Sequence, residues 1–153
     1  MSAELIAEIE RQERELVFDR FDENDAWKLG QILVEKATGK PVAIDIRRGA
    51  QQLFHVALPG AVADNDRWIE RKVRVVERFG VSSYLFGRRL ARDNKDLNPG
   101  MGLDPADYAA HGGAFPVRVA NVGIVAVVTV SGLPQAEDHA LVVEALTRLR
   151  SER

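Results

Sequence analysis

The chain has 153 residues, of which 46% are hydrophobic and 29% charged, with a formal net charge of -2. That balance suits one soluble globular domain over residues 1–153 with a substantial core, and it excludes a general electrostatic pull toward nucleic acid or an anionic membrane. There is no cysteine, so disulfides, thiolate nucleophiles, iron–sulfur clusters and cysteine-ligated zinc are excluded together.

The first fifteen residues, MSAELIAEIERQERE, are polar and amphipathic without an apolar h-region. They predict a helix over residues 2–14 rather than a signal peptide. No apolar run approaches the length that spans a bilayer, so the expected location is the cytoplasm. Residues 15–21, ELVFDRF, predict a strand. Asp22 then reads as an N-cap with Asp25 favourable in the first turn. The helix that follows runs to about Ala37, with Ala26, Trp27, Gly30, Leu33, Val34 and Ala37 on its apolar face. Gly39 and Pro41 end it.

Residues 42–48 and 51–58 predict two strands that pair across Gly49-Ala50. A long helix is expected over residues 66–79, stopping at Gly80, and Ser82 or Ser83 can cap the next one. Residues 94–112 break the pattern with glycines and prolines. Asp104-Pro105 can start one helical turn there, and a connection this long is usually functional or interface-forming. Residues 114–120 and 122–130 predict two more strands. The second is apolar on both faces, as a doubly covered central strand would be. A final helix over about 135–150 turns Leu141, Val142, Ala145, Leu146 and Leu149 inward.

Two hairpins exclude a purely parallel sheet. The expected fold is α/β in the α+β sense, a five-stranded antiparallel sheet with helices on both faces. There is no Rossmann or P-loop glycine pattern.

The helix WIERKVRVVERF, residues 68–79, carries one local conflict. At about 100° per residue from Trp68, Lys72 falls at about 40°, inside the stripe formed by Trp68, Ile69, Val73, Val75, Val76 and Phe79. A cation there is salt-bridged, snorkels along its stem, or serves a site by binding an anionic group or acting at depressed pKa. His111 precedes Gly112 and Gly113, which permit positive φ and close approach of another group. It is either an acid–base or ligand-binding histidine, or one packed where the loop becomes a strand. Ser131-Gly132 lies between the central strand and the last helix. Its amides can hold an anion, or it is simply a tight turn; Ser131 is not in a GxSxG elbow. Asp138 suits the helix N-terminus, and His55 and His139 read as satisfied packing residues. The three histidines lack metal-ligand spacing, so no metal site is expected. Only five of the 21 basic residues are lysine.

WIERKVRVVERFGVSS, YAAHGGAFPV and VTVSGLPQAEDHALVVEAL, in this order and spacing, resemble the HbpS-like haem-degrading-domain family, whose relatives include GlcG-like proteins and the C-terminal domain of PduO-type proteins. Similarity extends from about residue 15 to 150 and is strongest to a branch of short, single-domain members. The resemblance implies a profilin-like α/β/α sandwich, a homo-oligomer built from dimers and, from some relatives, haem as a ligand. The family's GG-x-P element maps to Gly112, Gly113 and Pro116, its helix lysine to Lys72 and its SG turn to Ser131 and Gly132.

The candidate ligand-binding residues are therefore Trp68, Lys72, His111, Gly112, Gly113, Ser131 and Gly132. The leading expectation is an oligomeric protein that binds an anionic or aromatic small molecule, haem included. One alternative is an enzyme acting on a small metabolite, with His111 as acid/base and Lys72 as electrostatic stabiliser. The other is an oligomeric protein-interaction scaffold without chemistry.

Overall fold

The structure is a computed structural model that describes residues 2–153. Among these residues five helices and five strands follow the order α1 (Ser2–Glu15), β1 (Val17–Phe18), α2 (Glu23–Lys36), β2 (Ala43–Arg48), β3 (Gln51–Ala57), α3 (Ala63–Phe79), α4 (Ser83–Arg92), β4 (Ala114–Val119), β5 (Gly123–Ser131) and α5 (Gln135–Ser151), with a 3-10 turn at Pro99–Met101.

The strands form one sheet in the order β1-β4-β5-β2-β3. Both hairpins are antiparallel, and β5 joins them by pairing antiparallel with β2. The expectation of a wholly antiparallel sheet is corrected at one edge, where Val17 and Phe18 pair parallel to Arg118 and Val119 of β4. β1 lies between two helices, α1 and α2, so it has no hairpin partner and takes whichever free edge its direction allows. β1 is also only two residues long, because the charged residues from Asp19 onward lead into the α2 cap.

That cap is a reciprocal box in which Asp25 N–H donates to Asp22 and Asp22 N–H to Asp25, at 3.0 and 2.9 Å. One face of the sheet is covered by α2 and α5. There Leu29, Leu33, Leu146 and Leu149 pack on Ile44, Ile46, Phe115, Val128 and Val130. The other face is covered by α3 through Ile69, Val73 and Val76 on Ala43, Ala114 and Val127. A small cluster of Ile6, Ile9, Tyr84 and Leu85 docks α1 on α4. β5 lies at the centre, with its last six residues buried.

Trp27 departs from its expected place in the core. It is 56% exposed and meets Phe54 edge-on, with ring centroids 5.4 Å apart. Gly30 explains the exchange, since a Cβ there would lie 2.5 Å from the Phe54 ring. The missing side chain admits Phe54 against α2, and Trp27 covers it from outside. Helix α3 starts earlier than expected because Asn65 accepts the Val62 N–H at 2.8 Å.

Among the described residues, no helix is long and apolar enough to cross a membrane.

Candidate functional site

Helix α3 presents Trp68 and Lys72 one turn apart on the face toward the sheet end. Lys72 is 3% exposed. Its Nζ donates to the Val130 carbonyl at 3.2 Å and to Asp138 Oδ2 at 3.3 Å. An ammonium has three hydrogens; the third has no acceptor among the described residues. Asp138 is 1% exposed and also accepts the N–H groups of Gly132 and Leu133, at 3.3 and 3.0 Å. The SG-turn amides therefore hold the protein's own carboxylate rather than an external anion.

Both charges meet opposition from burial. Burial pushes the Lys72 amine below its usual range against the pull of Asp138. It also pushes the Asp138 carboxyl above the carboxylate range against Lys72 and the two amides. At 3.3 Å the pair is looser than the ~2.7–2.9 Å of a strong charge-assisted bond.

The glycines before β4 are required by approach. Gly113 has φ +138°, and a Cβ on it would collide with the Val130 carbonyl and lie 2.7 Å from Lys72 Nζ. A Cβ on Gly112 would collide with the Gln135 carbonyl and press on Tyr84. Gly112 N–H donates to Gln135 Oε1 at 3.0 Å, and Gly113 accepts from Val130 N–H. The loop is thus clamped between β5, α4 and the first turn of α5.

This clamp sets His111 at the rim. Its ring stands edge-on to Trp68, with centroids 5.2 Å apart and planes at 86°. The Arg71 guanidinium lies 4.1 Å over the Trp68 ring. Burial, then the charges of Lys72, Arg71 and Arg88, hold the imidazole below its ordinary pKa, so it is neutral at physiological pH and can accept a proton. The long connection reaches His111 along α3. Arg71, Arg74 and Arg78 donate to the carbonyls of Pro105, Asp107 and Gly102 at 3.1, 3.0 and 2.6 Å. Asp104 makes a turn there and not a helix.

Between these parts is a cavity of about 240 Å³ lined by Asn65, Trp68, Lys72, His111, Ser131, Gly132, Leu133, Gln135 and Asp138. Gly113 lies behind Lys72 and Gly112 supports the rim, so neither lines the cavity. The structure brings Lys72 and His111 to one cavity, as the sequence analysis paired them.

Asp138 is the residue that sequence reasoning missed. Its signal was legible: it stands three and four residues before Leu141 and Val142, inside the apolar stripe of α5, as Lys72 stands inside that of α3. The other histidines lie elsewhere. His55 pairs with Asp66 at 2.6 Å on the surface, and His139 is buried against Tyr84 and Phe115. No group of three or more potential metal ligands occurs among the described residues.

A mixed five-stranded sheet between helical layers, with a small cavity at the end of its central strand, defines a class of small α+β proteins. The chain belongs to the HbpS-like family: the model described as haem degrading protein HbpS-like matches residues 21–147. It is similar to the UPF0303 protein of Streptomyces coelicolor, 60% identical over 153 residues that cover 99% of this chain and 97% of that one. Among solved structures it is similar to the Ybr137w protein, with TM-score 0.87 and 33% identity over 96% of this chain and 88% of that one. It shares its fold with PduOC, solved as a haem complex, at TM-score 0.68 and 14% identity over 83% of this chain and 93% of that one.

Proposed function

We propose that the chain binds a small metabolite in the cavity between Trp68, His111 and the Lys72–Asp138 pair. The observation that carries this reading is the buried pair itself. A lysine and an aspartate out of water cost several kcal/mol in desolvation, and here they form the floor of an opening rather than a packed interior. Trp68 supplies an apolar wall, while His111 and the free hydrogen of Lys72 supply polar contacts. Arg71 and Arg88 near the rim favour a ligand with negative charge.

Haem enters through the family description and the PduOC complex. The cavity volume argues against enclosing it: about 240 Å³ falls below the ~300–1,000 Å³ typical of drug-sized ligands, and a tetrapyrrole is larger still.

A second reading is favoured by the neutral His111. An imidazole that can accept a proton beside a buried ammonium suits acid–base chemistry on the bound molecule, with Lys72 stabilising developing negative charge. An oligomer built from dimers is expected alongside either reading.

Native mass spectrometry of protein freshly isolated from its host tests the binding proposal, because it reports subunit number and retained ligand together. Trp68→Ala and His111→Ala should each weaken binding of the retained molecule about tenfold, the loss of ~1.4 kcal/mol, with the fold intact. Affinity indifferent to both substitutions would overturn the reading.

A further inference from the structure

Resting on that reading, the structure assigns a chemical class to the ligand: we propose that the site takes a small aldehyde or ketone and holds it as an imine on Lys72, with Asp138 as the proton shuttle.

Lys72 differs from the other four lysines by position. Lys28 and Lys40 are exposed or half-exposed, Lys36 faces Glu144 at 3.9 Å, and Lys95 lies in the exposed loop. Lys72 alone is buried, at the bottom of a cavity and beside a single carboxylate. Its Nζ is held in place by the Val130 carbonyl and Asp138. Gly113 packs behind the amine with no room for a side chain, since a Cβ there would lie 2.7 Å from Nζ, and the amine faces the cavity that Lys72 lines. A desolvated lysine next to a proton acceptor is the arrangement that lets an amine act as a nucleophile at neutral pH.

Burial drives the pair toward its neutral form from both ends, lowering the amine and raising the carboxyl. The steps then balance without a co-reactant. The Lys72 ammonium passes one proton to Asp138, leaving a free amine and a carboxylic acid. The amine lone pair attacks the carbonyl carbon, and the C=O pair moves to oxygen. That oxygen takes a proton from nitrogen, giving a neutral carbinolamine. Asp138 returns its proton to the hydroxyl, which leaves as water while the nitrogen lone pair forms C=N. Ammonium plus carbonyl has become protonated imine plus water, and Asp138 is again a carboxylate beside the new cation. His111, neutral at the rim, is placed to move a proton on carbons next to the imine, where the protonated nitrogen acts as an electron sink.

The cavity limits the size of the carbonyl compound, and the positive rim favours a keto acid over an uncharged aldehyde. The test uses the full chain with pyruvate or glycolaldehyde and sodium cyanoborohydride at about pH 6.5, where exposed lysines of pKa ~10.4 are protonated. Intact mass and peptide mapping should show one adduct per chain on Lys72, formed at least about tenfold faster than on any other lysine. Lys72→Arg, which retains the charge beside Asp138, should abolish it, and Asp138→Asn should slow it about tenfold or more. Labelling of lysine confined to the exposed ones, or a yield of lysine adduct undiminished in Lys72→Arg, overturns the proposal; the α-amine, of pKa ~7.7–8.0, is mapped separately. The same mixtures without reductant, examined by native mass spectrometry, separate the two readings. A retained probe with no reducible adduct sinks the imine and leaves the binding site standing. Lys72 adducts that form as fast in Trp68→Ala and His111→Ala as in the parent chain sink the pocket as their cause.

Discussion

Lys72 and Asp138 lie 66 positions apart in sequence, yet they meet at 3.3 Å and tie α3, α5 and the end of β5 together. Each stands in the apolar stripe of its own helix, where a lone charge would be expelled or neutralised. Each is tolerated because the other is there. The pair therefore links the stability of the fold to the chemistry of the cavity.

Losing Lys72 should cost less once Asp138 has also been replaced. Lys72→Met leaves a buried carboxylate whose remaining donors are two amides, and the loss should be about 3–5 kcal/mol, the range for a broken buried pair. In the Asp138→Asn background the same change should cost at least about 1 kcal/mol less, since the side-chain amide keeps one of the turn contacts and leaves no stranded charge. Urea unfolding of the four proteins measures this, and equal costs in both backgrounds would show that the charges do not interact.

Gly113→Ala should be among the most damaging single substitutions. Its φ of +138° suits only glycine, and a Cβ would press on the Val130 carbonyl and Lys72 Nζ. Backbone strain of about 1–3 kcal/mol adds to the displacement of the loop that carries His111. Gly49→Ala, also at positive φ but with nothing within 4 Å, is the control. Thermal unfolding should show a drop clearly larger for Gly113 than for Gly49.

These contacts also explain which parts of the molecule could be read from its sequence. Local signals carried far. The two Asp-capped and Ser-capped helix starts, the Gly80 stop, the hairpin at Gly49 and the apolar run of β5 are set by residues within a turn or two. The parallel pairing of β1 could not be read that way, because two residues carry no register and their partner, β4, is a hundred positions away. Trp27 misled for a similar reason: its helical phase is apolar, but Gly30 gives the inner place to Phe54 from a distant strand. In the site, Lys72 announced itself by contradicting its stripe. Asp138 did so too, but a carboxylate near a helix N-terminus has a ready local explanation that concealed the contradiction.

The arginine row on α3 gives a prediction about dynamics. Arg71, Arg74 and Arg78 hold the carbonyls of residues 102–107, while Arg78 also reaches the Tyr108 hydroxyl at 3.2 Å. Each exposed hydrogen bond is worth about 1 kcal/mol, so replacing all three by Gln should raise opening of the loop by about 100-fold. Limited proteolysis or amide exchange over residues 98–108 should report that increase with the sheet amides unaffected. An unchanged exchange rate would mean that the loop is held by something other than this row.

His139 makes a separate, pH-dependent link between α1 and α5. It is 4% exposed, its Nε2 donates to Gln12 Oε1 at 2.7 Å, and its Nδ1 has no partner among the described residues. The neutral tautomer with hydrogen on Nε2 fits this environment; a second hydrogen on Nδ1 would be buried with no acceptor among the described residues. Burial accordingly holds the folded-state pKa down to about 4, from an ordinary value of 6.5. The unfolded chain binds the proton more readily, so the stability that neutral His139 contributes is complete above about pH 6.5 and is lost progressively as pH falls to about 4. The shift corresponds to roughly 3 kcal/mol. His139→Leu removes the titration, so the stability difference between parent and variant should change by that amount between pH 7 and pH 4, with carboxylate effects common to both proteins cancelling. Parallel pH profiles from urea titrations of the two proteins would place the histidine's proton affinity at its ordinary value and undo the argument from burial.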